Sequence, residues 1–397
     1  MESCVQVLRS FSEVEAIREV WTRMQWHPNS DLDFYRMVGQ SMPSVVRPHV
    51  LVLWRDAAPQ VILAGRVEDD SLTARTGHVS MSGPRTRSLV FIYGGLLGNP
   101  TQGECSLLVG KMLSTLRRGE ADRIFFNHLP VHSMLHEALT RIPRFYSRDY
   151  CSFIQIHRRL QLPSNLAEFR GRLSPKVRSN LRWKANKLIK QHLGDVRIDC
   201  FSKPSEFGPM IHAIESVAAG AYQRGPGTSF GSSADDRMRL QMKSDKGWLR
   251  SFVLFVGDRP CAFWSGTLYG GTFHSDFVGY DSAFREYSLG SYLLVKVIEG
   301  LCVPGPEREI VAIDFGIGDA EYKRIVSDQE WKDASPCIFA PSLKGVALNA
   351  YRTPLMHLEK IGRLLLNDGN ERGTMRTMRD RVACDALCGG WDQQPET

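Results

Sequence analysis

The sequence predicts a mixed α/β protein built as two halves of like architecture, each a mixed sheet flanked by helices. Three observations predict it. Both halves run hairpin, strand, loop, helix, strand. Two pairs of segments share an apolar pattern: Leu51-Val52-Leu53-Trp54-Arg55-Asp56 with Val253-Leu254-Phe255-Val256-Gly257-Asp258, and Ser106-Leu107-Leu108-Val109-Gly110-Lys111 with Ser291-Tyr292-Leu293-Leu294-Val295-Lys296. Between the halves Leu162-Pro163-Ser164 interrupts the pattern. The aligned segments share element order rather than residues, so an old duplication and a chance likeness of two mixed domains both fit.

In the first half, His49–Trp54 and Gln60–Gly65 are apolar runs joined by a turn over Arg55-Asp56-Ala57-Ala58-Pro59, the pattern of a hairpin. Leu89–Tyr93 is the next strand, ended by Gly94, Gly95, Gly98, Asn99 and Pro100. Leu107, Leu108, Met112 and Leu116 recur at helical spacing and predict a helix over Glu104–Leu116. A strand at Arg123–Asn127, a short helix at Ser133–Ile142 and a strand at Tyr150–Ile156 complete the half. The second half repeats the order. Val253–Val256 and Cys261–Leu268 form a hairpin, Thr272–Gly279 a strand, Tyr292–Ile298 a helix and Glu309–Asp314 a strand. The expected domains are residues 1–160, 161–345 and a helical tail, 346–397, with Leu355, Leu358, Ile361, Leu364 and Leu365 on one face.

Bulk properties set limits. A chain of 397 residues with 43% apolar and 23% charged residues has the composition of an ordinary globular protein of about two domains. No apolar run reaches the roughly eighteen residues of a membrane span, and no secretory signal is visible, so a cytoplasmic protein is expected. Nine scattered cysteines, an odd number, predict reduced thiols. A net charge of +7 suits anionic ligands without demanding nucleic acid. Arg170, Arg172, Lys176, Arg178, Arg182, Lys184, Lys187 and Lys190 make one basic helical stretch, read as a solvated face lacking exposed aromatics. Near His128, His132 and His136 the one acidic neighbour is Glu137, on an adjacent face, so no metal shell is completed and no metal is expected.

The loop Arg285-Glu286-Tyr287-Ser288-Leu289-Gly290-Ser291 opens the second-half helix. Small residues let the backbone turn with its N–H groups outward, and a helix N-terminus favours an anion, so the loop is a seat for a pyrophosphate. At the equivalent place in the first half, Gly98-Asn99-Pro100-Thr101-Gln102-Gly103-Glu104 lacks a donor at Pro100 and carries a repelling carboxylate at Glu104. That copy is expected to be degenerate.

This order of elements, with Arg285-x-x-Ser288-x-Gly290-Ser291, resembles the Gcn5-related N-acetyltransferase (GNAT) superfamily, although Ser288 stands where the family has glycine. Ser174-Pro175-Lys176-Val177-Arg178-Ser179-Asn180-Leu181-Arg182, Val278-Gly279-Tyr280-Asp281 and Ile313-Asp314-Phe315-Gly316-x-Gly318-x-x-x-Tyr322-Lys323 resemble the BioF2-like, or CelD-type, proteins, a group similar to the Fem aminoacyltransferases. The resemblance implies a tandem GNAT fold. It also implies transfer of an acyl group, acetyl first of all, from acyl-CoA to an amine of a small molecule, peptide or saccharide, without metal. Arg285, Tyr287, Ser288, Leu289, Gly290 and Ser291 would hold the donor.

Asp314 either orients the incoming amine or pairs with Lys323. Tyr322 either protonates the departing thiolate or packs as an aromatic. Lys323 binds a phosphate or carboxylate. For the acceptor pocket the candidates are His274 and Asp276, which alternate on one strand and otherwise read as hydrogen-bonded strand residues, Glu215 and Tyr222 on the helix after the basic stretch, and Trp264 on the hairpin, either a pocket wall or, more commonly for such a residue, core. In the BioF2-like group a tryptophan-lysine pair occupies the place of Tyr222-Gln223, a departure that leaves the acceptor open. Two rival readings stand beside this one: a Fem-like transferase using aminoacyl-tRNA, and a scaffold that kept the fold without the chemistry.

Overall fold

The computed structural model describes residues 3–369, apart from 73, 77, 78, 82, 192–194, 221–233 and 304–308. Tyr222 therefore lies outside the described residues. The described chain forms two compact units. Residues up to Gln155, together with those from Trp331 onward, make the first; Ile156–Glu330 make the second.

In the first unit the strands Ser3–Leu8, Val50–Arg55, Ala58–Ser71, Arg85–Leu97, Arg123–Phe126 and Cys337–Phe339 lie side by side in that order. Arg85–Leu97 and Arg123–Phe126 pair in parallel, and the remaining neighbours in this order are antiparallel. The expected hairpin is present, with Leu51 opposite Leu63 and Leu53 opposite Val61. Its inward face packs on the helix Gln102–Arg117 through Leu108, Val109 and Met112, all fully buried.

Residues 331–345, expected in the second half, go with the first. Cys337–Phe339 pairs antiparallel with Arg123–Phe126, and Phe339 packs with Leu72, Leu348 and Tyr351. The tail helix Leu343–Gly369 begins in the same unit. Arg352 Nη1 reaches Asp149 Oδ1 at 2.8 Å, and Asn349 Nδ2 donates to the Tyr146 carbonyl at 2.9 Å.

The second unit's sheet runs Val196–Phe201, Leu249–Val256, Arg259–Tyr269, Thr272–Tyr280, Ala312–Ile317 and then Phe153–Gln161, into which the chain passes at residue 156. Thr272–Tyr280 and Ala312–Ile317 are parallel; the other neighbours are antiparallel. One face packs on the helix Leu289–Leu301 through Leu289, Leu293 and Ile298. The other packs on Phe207–Gly220 through Met210, Ile214 and Val217. The last strand sits three residues later than the sequence predicts, so Asp314 lies inside it rather than at its end.

Both parallel pairs are short. Arg85–Leu97 matches its partner only over Ser88–Phe91, and Thr272–Tyr280 matches only over Thr272–His274. Beyond those rungs each pair of strands parts. Among the described residues no helix is long and apolar enough to cross a membrane.

Candidate active site

The last rung before the strands part is Phe91 opposite Phe126 in the first unit and His274 opposite Asp314 in the second. The two phenylalanines are buried and stacked, centroids 4.7 Å apart. Their counterpart in the second unit is polar. Asp314 Oδ1 accepts from His157 Nε2 at 2.6 Å and from the Gly316 backbone N–H at 2.7 Å, while Oδ2 lies 3.7 Å from His274 Nδ1.

Two irregularities aim these groups. The register passes from Arg158 opposite Gly316 to Arg159 opposite Asp314, so Phe315 is skipped. Gly316 there takes φ +65°, a left-handed conformation that a side chain would strain. Phe315 turns into the core and stacks on Trp264 at 6.1 Å. On the neighbouring strand Ser265 faces Phe277 while Gly266 faces Ser275, which leaves Asp276 as the extra residue. Its Oδ2 accepts from Thr267 Oγ1 at 2.6 Å and pairs with Lys243 Nζ at 2.9 Å.

The electrostatics separate the roles. Burial pushes the Asp314 carboxyl up, but the charge and hydrogen bond of His157, the charge of His274 and the Gly316 N–H outweigh it and hold it well below the usual carboxylate range. It is therefore an anion and a poor base. Burial pushes the His274 imidazole below its ordinary value; Asp314 and Asp276 oppose this, Lys243 and His157 reinforce it. A neutral imidazole near pH 7 suits a proton acceptor. The side chain of His157 is wholly enclosed, whereas those of His274 and Asp314 keep 12% and 11% exposure, with His274 Nε2 itself enclosed.

The loop takes a defined shape. Ser282–Tyr287 forms a tight helical turn, Ser288 adopts φ 51°, ψ 50°, and the helix Leu289–Leu301 follows. Leu289 packs in the core, and Tyr287 packs beside it with its hydroxyl donating to Gln191 Oε1 and Lys187 Nζ 5.3 Å from its ring centre. A Cβ on Gly290 would meet only Tyr280 Cδ1 at 3.7 Å; packing does not require glycine there, and the space suits an approaching ligand. The basic helix Pro175–Gln191 lies against this loop. Lys184 Nζ donates to Ser288 Oγ at 2.6 Å, and Lys187 pairs with Glu286. Trp183 on that helix is 61% exposed, so the stretch is neither a purely solvated face nor free of exposed aromatics.

At the matching place in the first unit Glu104 caps its own helix. It accepts from the Thr101 N–H at 2.8 Å and Oγ1 at 2.9 Å, and it pairs with Arg55. A resident carboxylate holds the positive end of that helix.

Several expected site residues stand elsewhere in the chemistry. Lys323 is buried, and its Nζ donates to the Ile317 carbonyl at 2.7 Å, which ties the short helix Glu321–Val326 to the sheet instead of presenting the ammonium to a ligand. Trp264 is a core residue at 2% exposure, with Nε1 donating to Ser275 Oγ at 2.9 Å. Glu215 pairs with Arg237 at 2.5 Å. Tyr322 is partly buried against the core. His157 was invisible to sequence reasoning, because the predicted strand stopped at Ile156. The signal that would have found it is a polar residue following the apolar alternation Ile154, Ile156.

Comparison with known proteins bears on this geometry. Residues 175–324 match the family model described as "Acetyltransferase (GNAT) domain". The structure of FemX is similar with a TM-score of 0.51 at 9% identity, covering 84% of this chain and 97% of that one. The fold is of the GNAT type. Weaker likenesses include a tandem GNAT protein from the clavulanic acid biosynthesis pathway, with TM-score 0.46, 9% identity, and coverage of 86% and 99%. Another is the C-terminal domain of a putative lysylphosphatidylglycerol synthetase from Agrobacterium fabrum, with TM-score 0.46, 12% identity, and coverage of 85% and 95%. No curated protein matches.

Proposed function

We propose that the second unit is an N-acyltransferase of the BioF2-like, CelD-type kind that moves an acyl group, acetyl first of all, from acyl-CoA to an amine. The observation that carries this is the His274–Asp314 rung, set where two parallel strands part within the matched GNAT stretch. Backbone N–H groups from Tyr287 to Ser291, with Lys184 and Arg285 beside them, hold the donor's pyrophosphate. Asp314 orients His274, whose imidazole takes the proton from the attacking amine. The new C–N bond forms as the C–S bond breaks, and Tyr322 returns a proton to the thiolate. Asp276 and Lys243, together with Glu215, belong to the acceptor side, where a peptide, saccharide or small-molecule amine docks. The first unit, with its phenylalanine rung and self-capped helix, has no such chemistry.

Thermal unfolding with coenzyme A, acetyl-CoA and longer acyl-CoAs tests the donor assignment. Wild-type protein is expected to be stabilised by a thioester, and Gly290→Glu, whose side chain enters the open space at the loop, to lose that gain. No shift with any thioester would overturn acyl-CoA as donor, and aminoacyl-tRNA would then be tried against the basic helix.

A further inference from the structure

The fold does not need a polar rung at this place. Its sister unit fills the corresponding rung with two stacked phenylalanines, both buried, in a sheet split of the same kind. Burying charged and polar groups instead is at best neutral for stability and often unfavourable. His157 is the hardest of the three to explain, because it is fully enclosed and meets no substrate.

We infer that His157 is the positioning residue of the acyl-transfer base: by holding Asp314 it sets the carboxylate charge that faces His274. This rests on the reading that His274 takes the amine proton. Two donors, His157 Nε2 and the Gly316 N–H, converge on Oδ1 of Asp314 at 2.6 and 2.7 Å. With Oδ1 held, the carboxylate plane is set and Oδ2 is turned toward His274 Nδ1. At 3.7 Å the carboxylate acts on the imidazole through its charge and not through a hydrogen bond. His157 stands opposite Ile317, beside the bulge, and from there its Nε2 meets Asp314 Oδ1. The charged and titratable groups around His274 are Asp314 on the paired strand, Asp276 on its own, Lys243 from the helix Ala234–Asp245, and His157. Arg159 stands opposite Asp314 in register.

The test uses the full chain carrying His157→Phe or His157→Gln, with two readouts. The first is the NMR titration of the His274 imidazole without donor. The second is the pH profile of kcat and KM for acyl transfer. His157 lowers the affinity of His274 for a proton, so removing it raises the His274 midpoint. In His157→Phe the midpoint and the acid limb of kcat are expected to move together to higher pH. At the optimum kcat should fall about tenfold to a hundredfold with donor affinity unchanged. Glutamine, which can still donate to Oδ1, is expected to restore part of the loss.

An unchanged His274 midpoint in His157→Phe would overturn the inference, as would a midpoint that moves while kcat stays at the wild-type value. Should the phenylalanine variant not fold, the same titration of His157→Gln decides the matter. Because the titration needs no thioester, absence of donor binding would sink the acyl-CoA reading while leaving the role of His157 separately decided.

Discussion

Lys184 Nζ donates a 2.6 Å hydrogen bond to the Oγ of Ser288, a residue held in left-handed backbone at φ 51°. For a residue with a Cβ that conformation costs about 1–2 kcal/mol. Ser288→Gly is therefore expected to keep donor binding and to match or slightly exceed wild-type stability in urea unfolding. Ser288→Val, β-branched where φ is positive, is expected to lose both.

Lys184→Met separates the loop's backbone from the side chain that leans on it. The expected result is a donor affinity lowered about fivefold to tenfold, with a weaker dependence on salt than wild type, measured by calorimetry at two ionic strengths. Equal affinity and equal salt dependence would remove Lys184 from the donor site.

Replacing the base should halt turnover while leaving binding intact. His274→Gln and Asp314→Asn are each expected to lower kcat about a hundredfold or more with little change in donor affinity. The double variant His274→Phe/Asp314→Phe copies the rung of the sister unit. It is expected to be inactive, and as stable as wild type or more so by about 1–4 kcal/mol in denaturant unfolding. A double variant that unfolds would show that the polar rung is structural.

Stability should fall on mild acidification for a stated reason. Burial, with the Arg47 charge, pushes the His49 imidazole down to about 3, and burial also lowers that of His274. Both groups are neutral in the folded chain and bind a proton once unfolded, at about pH 6.5. The stability they contribute is thus fully present above that pH and is lost as pH drops below it, by up to about 1.4 kcal/mol per pH unit for each group. Asp314, held low, adds a loss only at much lower pH, below the ordinary carboxylate range. Thermal melts between pH 7 and pH 5 should show the first effect, and His49→Asn should reduce its slope.

Gly316→Ala places a side chain at φ +65° beside Asp314. The expected outcome is a stability loss of about 1–2 kcal/mol and a drop in kcat, because the bulge aligning the two donors on Oδ1 is disturbed. Normal kcat in a destabilised variant would confine the bulge to folding.

The hairpins were readable because continuous apolar runs flank a short turn, and both faces of those strands are buried, with Leu51 opposite Leu63 and Leu254 opposite Ala262. The loop at 285–291 was readable from its small residues and the helix behind it. What alternation cannot show is a bulge. The run Asp314-Phe315-Gly316 reads as a strand ending, yet the strand continues to Ile317 with Phe315 skipped, and His157 pairs with Ile317 beyond that bulge. Alternation put His274 and Asp276 on one face, and Asp276 meets Thr267, the residue opposite His274, although it gets there as the extra residue of its strand. Lys323 looked like a ligand because charge near a motif invites that reading; burial and the Ile317 carbonyl assign it to the frame. The pairing of Cys337–Phe339 with Arg123–Phe126 spans about two hundred residues and leaves no local signature.

That pairing has a consequence for how the chain is made. Among the described residues the second unit is a single run, Ile156–Glu330, while the first takes residues from both sides of it. During synthesis the second unit can close its core as soon as its last strand emerges. The first must wait, with Arg123–Phe126 offering an open edge, until Cys337–Phe339 leaves the ribosome. The younger stretch of chain thus reaches its native state ahead of the older one, and the interval between them is when the nascent protein is most exposed to mispairing.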